Sequence, residues 1–557
     1  MLRHPAGILP GKEDTAMTTA PHSVLATHEV TNQPSPETGR DLWSGDRALQ
    51  QAARWAGADT QALATAGARL GSAEMADHAE NARRDAPRLR LFDRAGRRCD
   101  EVDFHPGYHA IMQAGMELGY AAHAWEGHGG GHATHAALVY YLAQVEPGIS
   151  CPLTMTYAAV PALRGSDLAE TWVPKLTARS HDPSIAPVTQ KRAATMGMAM
   201  TEKQGGSDVR ANTTTAMPRG DHYTLSGHKW FCSAPMSDGF LTLAQAPGGL
   251  TCFVVPRWLE DGRNTLHLMR LKAKLGNHAN ASSEIEYHDA VAYRLGDEGQ
   301  GVKTIIEMVH HTRLDTAMAP AGLMRAALAQ AHWWLSHRAA FQRRLIDQPL
   351  MRAVMADLTL EAEAALALGM GTARAFDGDA PEDRAFARIS VALAKFISNK
   401  RAPVMIVEAM ECLGGMGYVE ETPMPMLYRE APLNGIWEGS GNVICLDILR
   451  TLARDPLAAE TLNARLQSNL GRDGRFDAAL KAHQLRWPSL PPEAEARWFA
   501  ESAANLLAAA YLLELGDTAI AEGFIATRLD GQRGHVPGAV SGIDTDAVLA
   551  RLGPGHA

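Results

Sequence analysis

The sequence predicts an α+β fold that is mainly α: an N-terminal helical domain, a middle β-barrel-like domain, a helical-bundle domain and an extra C-terminal helical domain. Three observations carry this. Ala-rich stretches such as Tyr108–Leu118 and His135–Val145 repeat apolar residues at i, i+3 and i+4, the period of a helix with a buried face. Near Met196 the chain changes to short β-rich runs separated by Gly, Pro and Asp. After Gly301 long helical patterns resume and continue, rich in Ala and Leu, beyond Asp455.

Taken in order, residues 1–40 contain Pro, Gly, Ser and Thr without apolar periodicity and read as a mobile leader, in which Met17 is as good a start as Met1. Residues 41–195 form the first helical domain. Residues 196–295 hold the strands, expected at His222–Trp230, Gly239–Ala246, Leu250–Pro256, Thr265–Arg270 and Ser283–Ala290. Residues 296–455 form the bundle, expected as helices Val302–Ala319, Gly322–Ala340, Leu350–Phe376, Pro381–Met410 and Asn442–Arg454, with Pro320 at a kink or break. Residues 456–557 are the additional helical piece, with a Pro-rich linker at Trp487–Pro492.

Composition excludes several classes. A formal charge of −9 argues against a chain that coats nucleic acid over its whole surface, though not against a local basic patch. No stretch approaches the roughly 18 unbroken apolar residues of a membrane helix, and a secretory pattern is missing, so a cytoplasmic address is expected. Cys99, Cys151, Cys232, Cys252, Cys412 and Cys445 are scattered, as free thiols in a reducing compartment are. His128-Gly-Gly-Gly-His132-Ala-Thr-His135 has spacings that meet a metal on a helix. No carboxylate or Cys partner stands out and the Gly run suggests a loop, so no metal site is assigned.

Three segments carry chemistry. In Gly197-Met-Ala-Met-Thr-Glu-Lys-Gln-Gly-Gly-Ser-Asp208, Gly205 and Gly206 let backbone approach a ligand, and N–H groups beside Thr201 and Ser207 suit a phosphate or a polarised carbonyl. Alone, the same residues make an ordinary turn. Ser226-Gly-His-Lys-Trp-Phe-Cys-Ser233 alternates like a strand, with Trp230 equally suited to a core. The third, Leu427 to Asn442, contains Trp437-Glu438-Gly439-Ser440-Gly441, in which Ser440 also fits a helix cap.

The T-E-x-x-G-G-S-D pattern, the strand after it and the aromatic-Glu-Gly motif resemble the acyl-CoA dehydrogenase family. The resemblance implies FAD as cofactor, with Thr201, Gly206 and neighbouring amides on the pyrimidine end, Ser207 on the pyrophosphate and Met200 against the ring. It places Phe231 beside the flavin, Cys232 next to it and Ser233 at N5, and it counts Ile436, Trp437, Gly439, Ser440 and Asn442 among the cofactor contacts. Glu438 matches the base that removes the α-proton of an acyl thioester. The alternative base position, just before Arg313, is Thr312, which cannot serve. Arg338 and Phe341 match residues that hold the FAD of a neighbouring subunit, but Gln342 replaces the usual Gly. Glu411 likewise stands where a Gln is usual, before Gly414-Gly415.

Met200–Asp208, Lys274–Asn280, Cys151–Tyr157 and Glu438–Asn442 are similar to the AidB-type branch, over residues 40–455 strongly and beyond them weakly. That branch implies a homotetramer, weak dehydrogenation of short branched acyl-CoA with an electron-transfer flavoprotein as partner, a link to DNA alkylation damage, and double-stranded DNA binding by the C-terminal domain. Arg450, Arg465, Arg472, Arg475 and Lys481 are the candidate DNA contacts, although acidic residues outnumber basic ones past Asp455. Two readings stay open: a thioester-oxidising enzyme, or a flavin-bearing DNA-binding protein with little turnover.

Overall fold

The computed structural model describes residues 21–37 and 39–553. The choice between Met1 and Met17 falls outside the described residues.

The N-terminal part runs α1 (Arg47–Ala56), α2 (Thr60–Leu70), α3 (Ala73–Arg84), a hairpin of β1 (Arg88–Phe92) and β2 (Arg98–Asp103), α4 (Pro106–Glu117), α5 (Gly131–Val145), α6 (Pro147–Leu163) and α7 (Ala169–Leu176). The hairpin corrects the expectation of helices throughout. Arg-Leu-Arg-Leu-Phe alternates with period two, and the Asp93–Arg97 turn joins it to β2.

The middle domain contains β3 (Met196–Ala199), β4 (Thr215–Arg219), β5 (His222–Ser233), β6 (Gly239–Ala246), β7 (Gly249–Pro256), the two-residue pair β8 (Trp258–Leu259) and β9 (Gly262–Arg263), β10 (Leu266–Leu271) and β11 (Ser282–Leu295). Pairing runs β11–β5–β4–β6–β7 and returns to β11, closing a barrel, with β10 added beside β11 and β3 beside β6. Its interior is a separate apolar core that includes Phe240, Phe253, Ile285 and Tyr287.

The bundle is built on α8 (Gly301–His337), the small hairpin β12 (Ala339–Ala340) and β13 (Arg343–Arg344), α9 (Pro349–Phe376), α10 (Pro381–Glu411), α11 (Met424–Glu430) and α12 (Gly441–Arg454). The expected break at Pro320 does not occur, and α8 is one helix of 37 residues. Proline removes the N–H that would bond the carbonyl four residues back. Here that carbonyl, Thr316 O, accepts instead from Asn399 Nδ2 of α10 at 2.8 Å. Helix α8 packs against α5, α6, α9 and α10, so it is the central post of the molecule.

The chain then forms α13 (Pro456–Gln467), α14 (Gly474–Arg486), α15 (Ala496–Leu515), α16 (Thr518–Phe524) and α17 (Thr545–Leu549). Helices α13, α15, α16 and α17 pack on α9 or α10, and α14 packs on α15. Buried charge pairs fasten them: Arg528 to Asp357 and Glu361 at 2.6 and 2.8 Å, and Arg551 to Glu363 at 2.8 Å.

Part of the expected mobile leader is tied down. Asn32 uses both ends of its amide on the Ala339 backbone, at 2.8 and 2.7 Å. Trp333 Nε1 donates to Ser35 O at 3.1 Å. Among the described residues no helix is long and apolar enough to cross a membrane, and all six cysteines are unpaired.

Candidate active site around Glu438

The flavin-loop residues lie where β3 leaves the barrel. Thr201 O accepts from Trp230 N at 2.8 Å, which fixes the loop against β5. Met200 O accepts from Asn212 Nδ2 at 2.9 Å. Beneath them Glu202 and Lys229 form a fully buried ion pair at 2.8 Å, and Glu202 also accepts from the Thr213 and Thr214 amides. The lysine and these donors outweigh the burial penalty and hold the Glu202 carboxyl down at about 2. A Cβ on Gly206 would stand 2.5 Å from Thr201 Oγ1, so the close backbone approach needs glycine. Ser207 is exposed.

Along β5 the side chains alternate. Phe231 is 48% exposed, while Cys232 is fully buried among the barrel core. Cys232 therefore has its backbone, not its thiol, to offer a cofactor. Ser233 is half-buried, and its hydroxyl lies 3.3 Å from that of Ser282.

Glu438 sits in the turn between α11 and α12 with φ of 56°, the left-handed region that non-glycine residues seldom occupy. Its carboxylate Oε2 accepts from Thr312 Oγ1 at 2.8 Å, and its carbonyl accepts from Arg313 Nε at 3.1 Å. Arg313 is itself held by Asp447 at 2.7 Å, and Asp447 is shared with Arg388 at 2.8 Å. Buried Lys395 donates to Asn434 O and Gly439 O, each at 2.9 Å. Burial raises the pKa of Glu438, while the Thr312 bond and the Lys395 and Arg313 cations pull against it. Trp437 is oriented by its Nε1 bond to Asn434 Oδ1 at 2.8 Å, and Ile436 is 64% exposed.

Cys151 of α6 joins the two halves of the site. Burial pushes its thiol up to about 12; Lys274 and hydrogen bonds from Asn280 and Ser233 oppose that, and Glu438 adds to it. Helix α6, strand β5 and the Glu438 turn thus meet at one place.

Ser440 precedes α12 without a side-chain capping bond, so its hydroxyl is available to a ligand. Asn442 differs, because its Oδ1 accepts from Arg497 of α15 at 2.9 Å. Arg338 and Phe341 are not at this site. Arg338 ends α8, 26 residues after Thr312, a separation of roughly 39 Å at about 1.5 Å per residue. Arg338 bonds Asn32 O and Gln33 Oε1 at 2.8 and 2.7 Å. Phe341, 91% exposed and in a left-handed turn with Gln342, projects from the β12–β13 hairpin.

Of the basic candidates, two are held in ion pairs. Arg465 pairs with Glu514 at 2.9 Å and Arg475 with Asp473 at 2.6 Å. Arg472 and Lys481 are exposed, Arg472 bonding Leu513 O at 3.3 Å, and Arg450 lies 3.9 Å from Asp447. Of the histidines in the Gly-rich run, His135 sits on α5 with its two nitrogens 2.7 Å from Tyr120 O and from Asp315 Oδ1, and His132 lies 2.8 Å from the Tyr157 hydroxyl.

Lys395 is the side chain at this turn that sequence reasoning did not find, and Thr312, set aside there as a base, is the hydroxyl that holds the Glu438 carboxylate. Lys395 had a visible signal, a single charge in the apolar run Val391-Ala-Leu-Ala-Lys-Phe-Ile397.

The residues present fit FAD: a tight glycine loop whose Gly206 packs on the Thr201 side chain, an exposed Phe231, an uncommitted Ser440 hydroxyl and a buried carboxylate at Glu438. Comparison with known proteins agrees. Residues 32–183 match the adaptive response protein AidB N-terminal domain, 197–290 the acyl-CoA dehydrogenase middle domain and 299–453 its C-terminal domain. The chain is 44% identical to AidB of Escherichia coli, which is named for the acyl-CoA dehydrogenases, over 83% of this chain and 88% of that one. It is 32% identical to acyl-CoA dehydrogenase family member 11 of Caenorhabditis elegans, over 71% and 67%. The crystal structure of C. elegans ACDH-11 in complex with C11-CoA superposes with a TM-score of 0.82 at 25% identity, covering 95% of this chain and 97% of that one. The chain belongs to the acyl-CoA dehydrogenase family of FAD-dependent oxidoreductases.

Proposed function

We propose that the protein dehydrogenates an acyl-CoA thioester between its α and β carbons, with Glu438 as the base. The observation that carries this reading is the Glu438 carboxylate itself. Burial destabilises its charge, and the Thr312 hydroxyl holds it at 2.8 Å. A base whose pKa is raised accepts a proton more readily than a solvated carboxylate does. Glu438 takes the α-proton, and FAD, when bound, accepts the hydride from the β-carbon. Thr201, Gly206 and Ser207 would hold the cofactor from the loop, and Ser233 would place a hydroxyl at its reactive edge. An acyl-CoA substrate is supported by the C11-CoA bound to the C. elegans relative. Electrons would pass on to an electron-transfer flavoprotein.

Phe341, exposed, and the half-buried Arg338, both far from Glu438 in their own chain, suit contact with a neighbouring copy, in keeping with a homotetramer. The unpaired thiols suit a reducing, cytoplasmic setting.

The test is anaerobic bleaching of the bound flavin by isovaleryl-CoA or a related thioester. Wild type should bleach, and Glu438→Gln should keep its FAD while losing roughly 10²–10⁴-fold in rate. A wild-type protein that holds FAD but is reduced by no acyl-CoA would refute the reading.

The adaptive-response description of the N-terminal match favours a second role in the response to DNA alkylation, with duplex DNA as partner. Exposed Arg472, Lys481 and Arg450 would carry it. Binding that weakens with salt and with neutralisation of these residues would support that role; indifference to both would count against it.

A further inference from the structure

We propose that Lys395 is a positioning residue for the base, clamping the turn that carries Glu438 by bonding backbone carbonyls on both sides of it. This rests on the dehydrogenase reading for its catalytic consequence, but not for its geometry.

Glu438 holds a left-handed backbone conformation, which is strained for an L-residue and persists only where the surroundings dictate it. Three side chains dictate it. Arg313 takes the carbonyl of Glu438, and Thr312 takes its carboxylate. Lys395 alone of the three spans the turn, reaching Asn434 O before the glutamate and Gly439 O after it, both at 2.9 Å.

The side chain that does this is 2% exposed and rises from the middle of α10, a stretch in which Val391, Leu393 and Phe396 are buried as well. A lysine is seldom buried without a partner, and the partners here are two carbonyls rather than a carboxylate in contact. Two N–H donors satisfy them, so the clamp works with the ammonium and with the neutral amine. Burial lowers the Lys395 pKa to about 7, with Glu438 opposing the fall and Arg313 and Lys400 adding to it. The groups facing Glu438 are Thr312, Lys395, Arg313 and Asp315, with Cys151 across from α6. Of these, Lys395 and Arg313 favour the carboxylate and Asp315 disfavours it. The ammonium therefore contributes a second effect: it holds the pKa of Glu438 lower than burial alone would set it.

The experiment uses the full FAD-loaded protein and the variants Lys395→Met and Lys395→Arg. Amide hydrogen exchange over residues 433–442 is measured first, because it needs no turnover. Loss of two hydrogen bonds should speed exchange there by roughly tenfold or more in Lys395→Met, while exchange in the barrel stays unchanged. Lys395→Arg keeps donors and charge and should restore much of the protection. The pH dependence of flavin reduction by the thioester is read second. Removing the cation raises the Glu438 pKa, so the acid limb should move to higher pH in Lys395→Met and return towards wild type in Lys395→Arg. Unchanged exchange over 433–442 in Lys395→Met would overturn the clamp. Changed exchange with an unmoved acid limb would overturn the electrostatic part. If wild type is not reduced by any thioester, the dehydrogenase reading fails separately, and the exchange result still decides the clamp.

Discussion

Thr312 Oγ1 lies 2.8 Å from Glu438 Oε2 and 3.1 Å from Val309 O. A hydroxyl both donates and accepts, so this one suits the base before and after proton transfer. With Glu438 ionised, Thr312 donates to the carboxylate. Once Glu438 is protonated it donates to Thr312, whose own hydrogen turns to the helix carbonyl. Thr312→Val removes this partner and keeps the shape. The lost bond favoured the charged form, so the Glu438 pKa rises. In the proposed reaction the ionised form is the active one, so the acid limb of the flavin-reduction profile should move to higher pH. Thr312→Ser should leave it near wild type. A pH profile of stopped-flow flavin bleaching checks this.

At Gly206 the prediction concerns the cofactor rather than the base. A Cβ there meets Thr201 Oγ1 at 2.5 Å and Thr201 Cγ2 at 3.0 Å, so the loop must shift to admit it. Gly206→Ala should purify with much less FAD, read as the ratio of flavin to protein absorbance, while circular dichroism stays that of a folded chain. Full flavin content in this variant would remove the loop from the cofactor site.

The same contrast runs through what was legible in the sequence. Five strands, β5, β6, β7, β10 and β11, were visible because alternation and Gly/Pro punctuation are local, whereas the short β3, β4, β8 and β9 were not expected; α9, α10 and α12 ended within a residue or two of where apolar periodicity ended. Glu438 was visible as a motif. What was hidden depends on partners distant in the chain. Pro320 reads as a breaker until Asn399, 79 residues later, is seen to occupy the carbonyl that proline leaves unbonded. Thr312 and Lys395 are 126 and 43 residues from Glu438, and only the packing of α8 and α10 reveals that they hold it. Asn32 looked like part of a featureless leader because its bonds go to Ala339. The hairpin β1–β2 is a different case, since its alternating Arg and Leu were in plain view among helices.

Asn399 gives that argument a test. It is buried, and its Nδ2 serves both Thr316 O and Lys395 O, at 2.8 and 2.9 Å. Asn399→Ala leaves the Thr316 carbonyl unsatisfied in the core, a loss of roughly 1–3 kcal/mol. Adding Pro320→Ala returns an amide N–H to that carbonyl, so the double variant should recover most of the stability. Denaturant melts of the single and double variants check the coupling. Additive losses would mean that Asn399 does not stand in for the missing bond.

The buried Glu202–Lys229 pair makes the last prediction, on stability against pH. Both side chains are fully buried, and each is the main charged partner of the other. Lys229→Met strands the Glu202 carboxylate without a cation, and breaking a buried pair in this way costs roughly 3–5 kcal/mol. Replacing both, as Glu202→Gln with Lys229→Met, should cost less than the single change, because no charge is left unpaired. The pH dependence follows from the direction of the shift. The folded carboxyl titrates at about 2, below its ordinary 4.5, so its stabilising effect is complete above 4.5. It declines as pH falls from 4.5 towards 2, where the unfolded chain takes up the proton and the folded one does not. Wild type should therefore lose melting temperature across that interval more steeply than the double variant. A thermal-melt series from pH 5 down to 3 measures the difference, and parallel slopes would show that the pair does not govern acid stability.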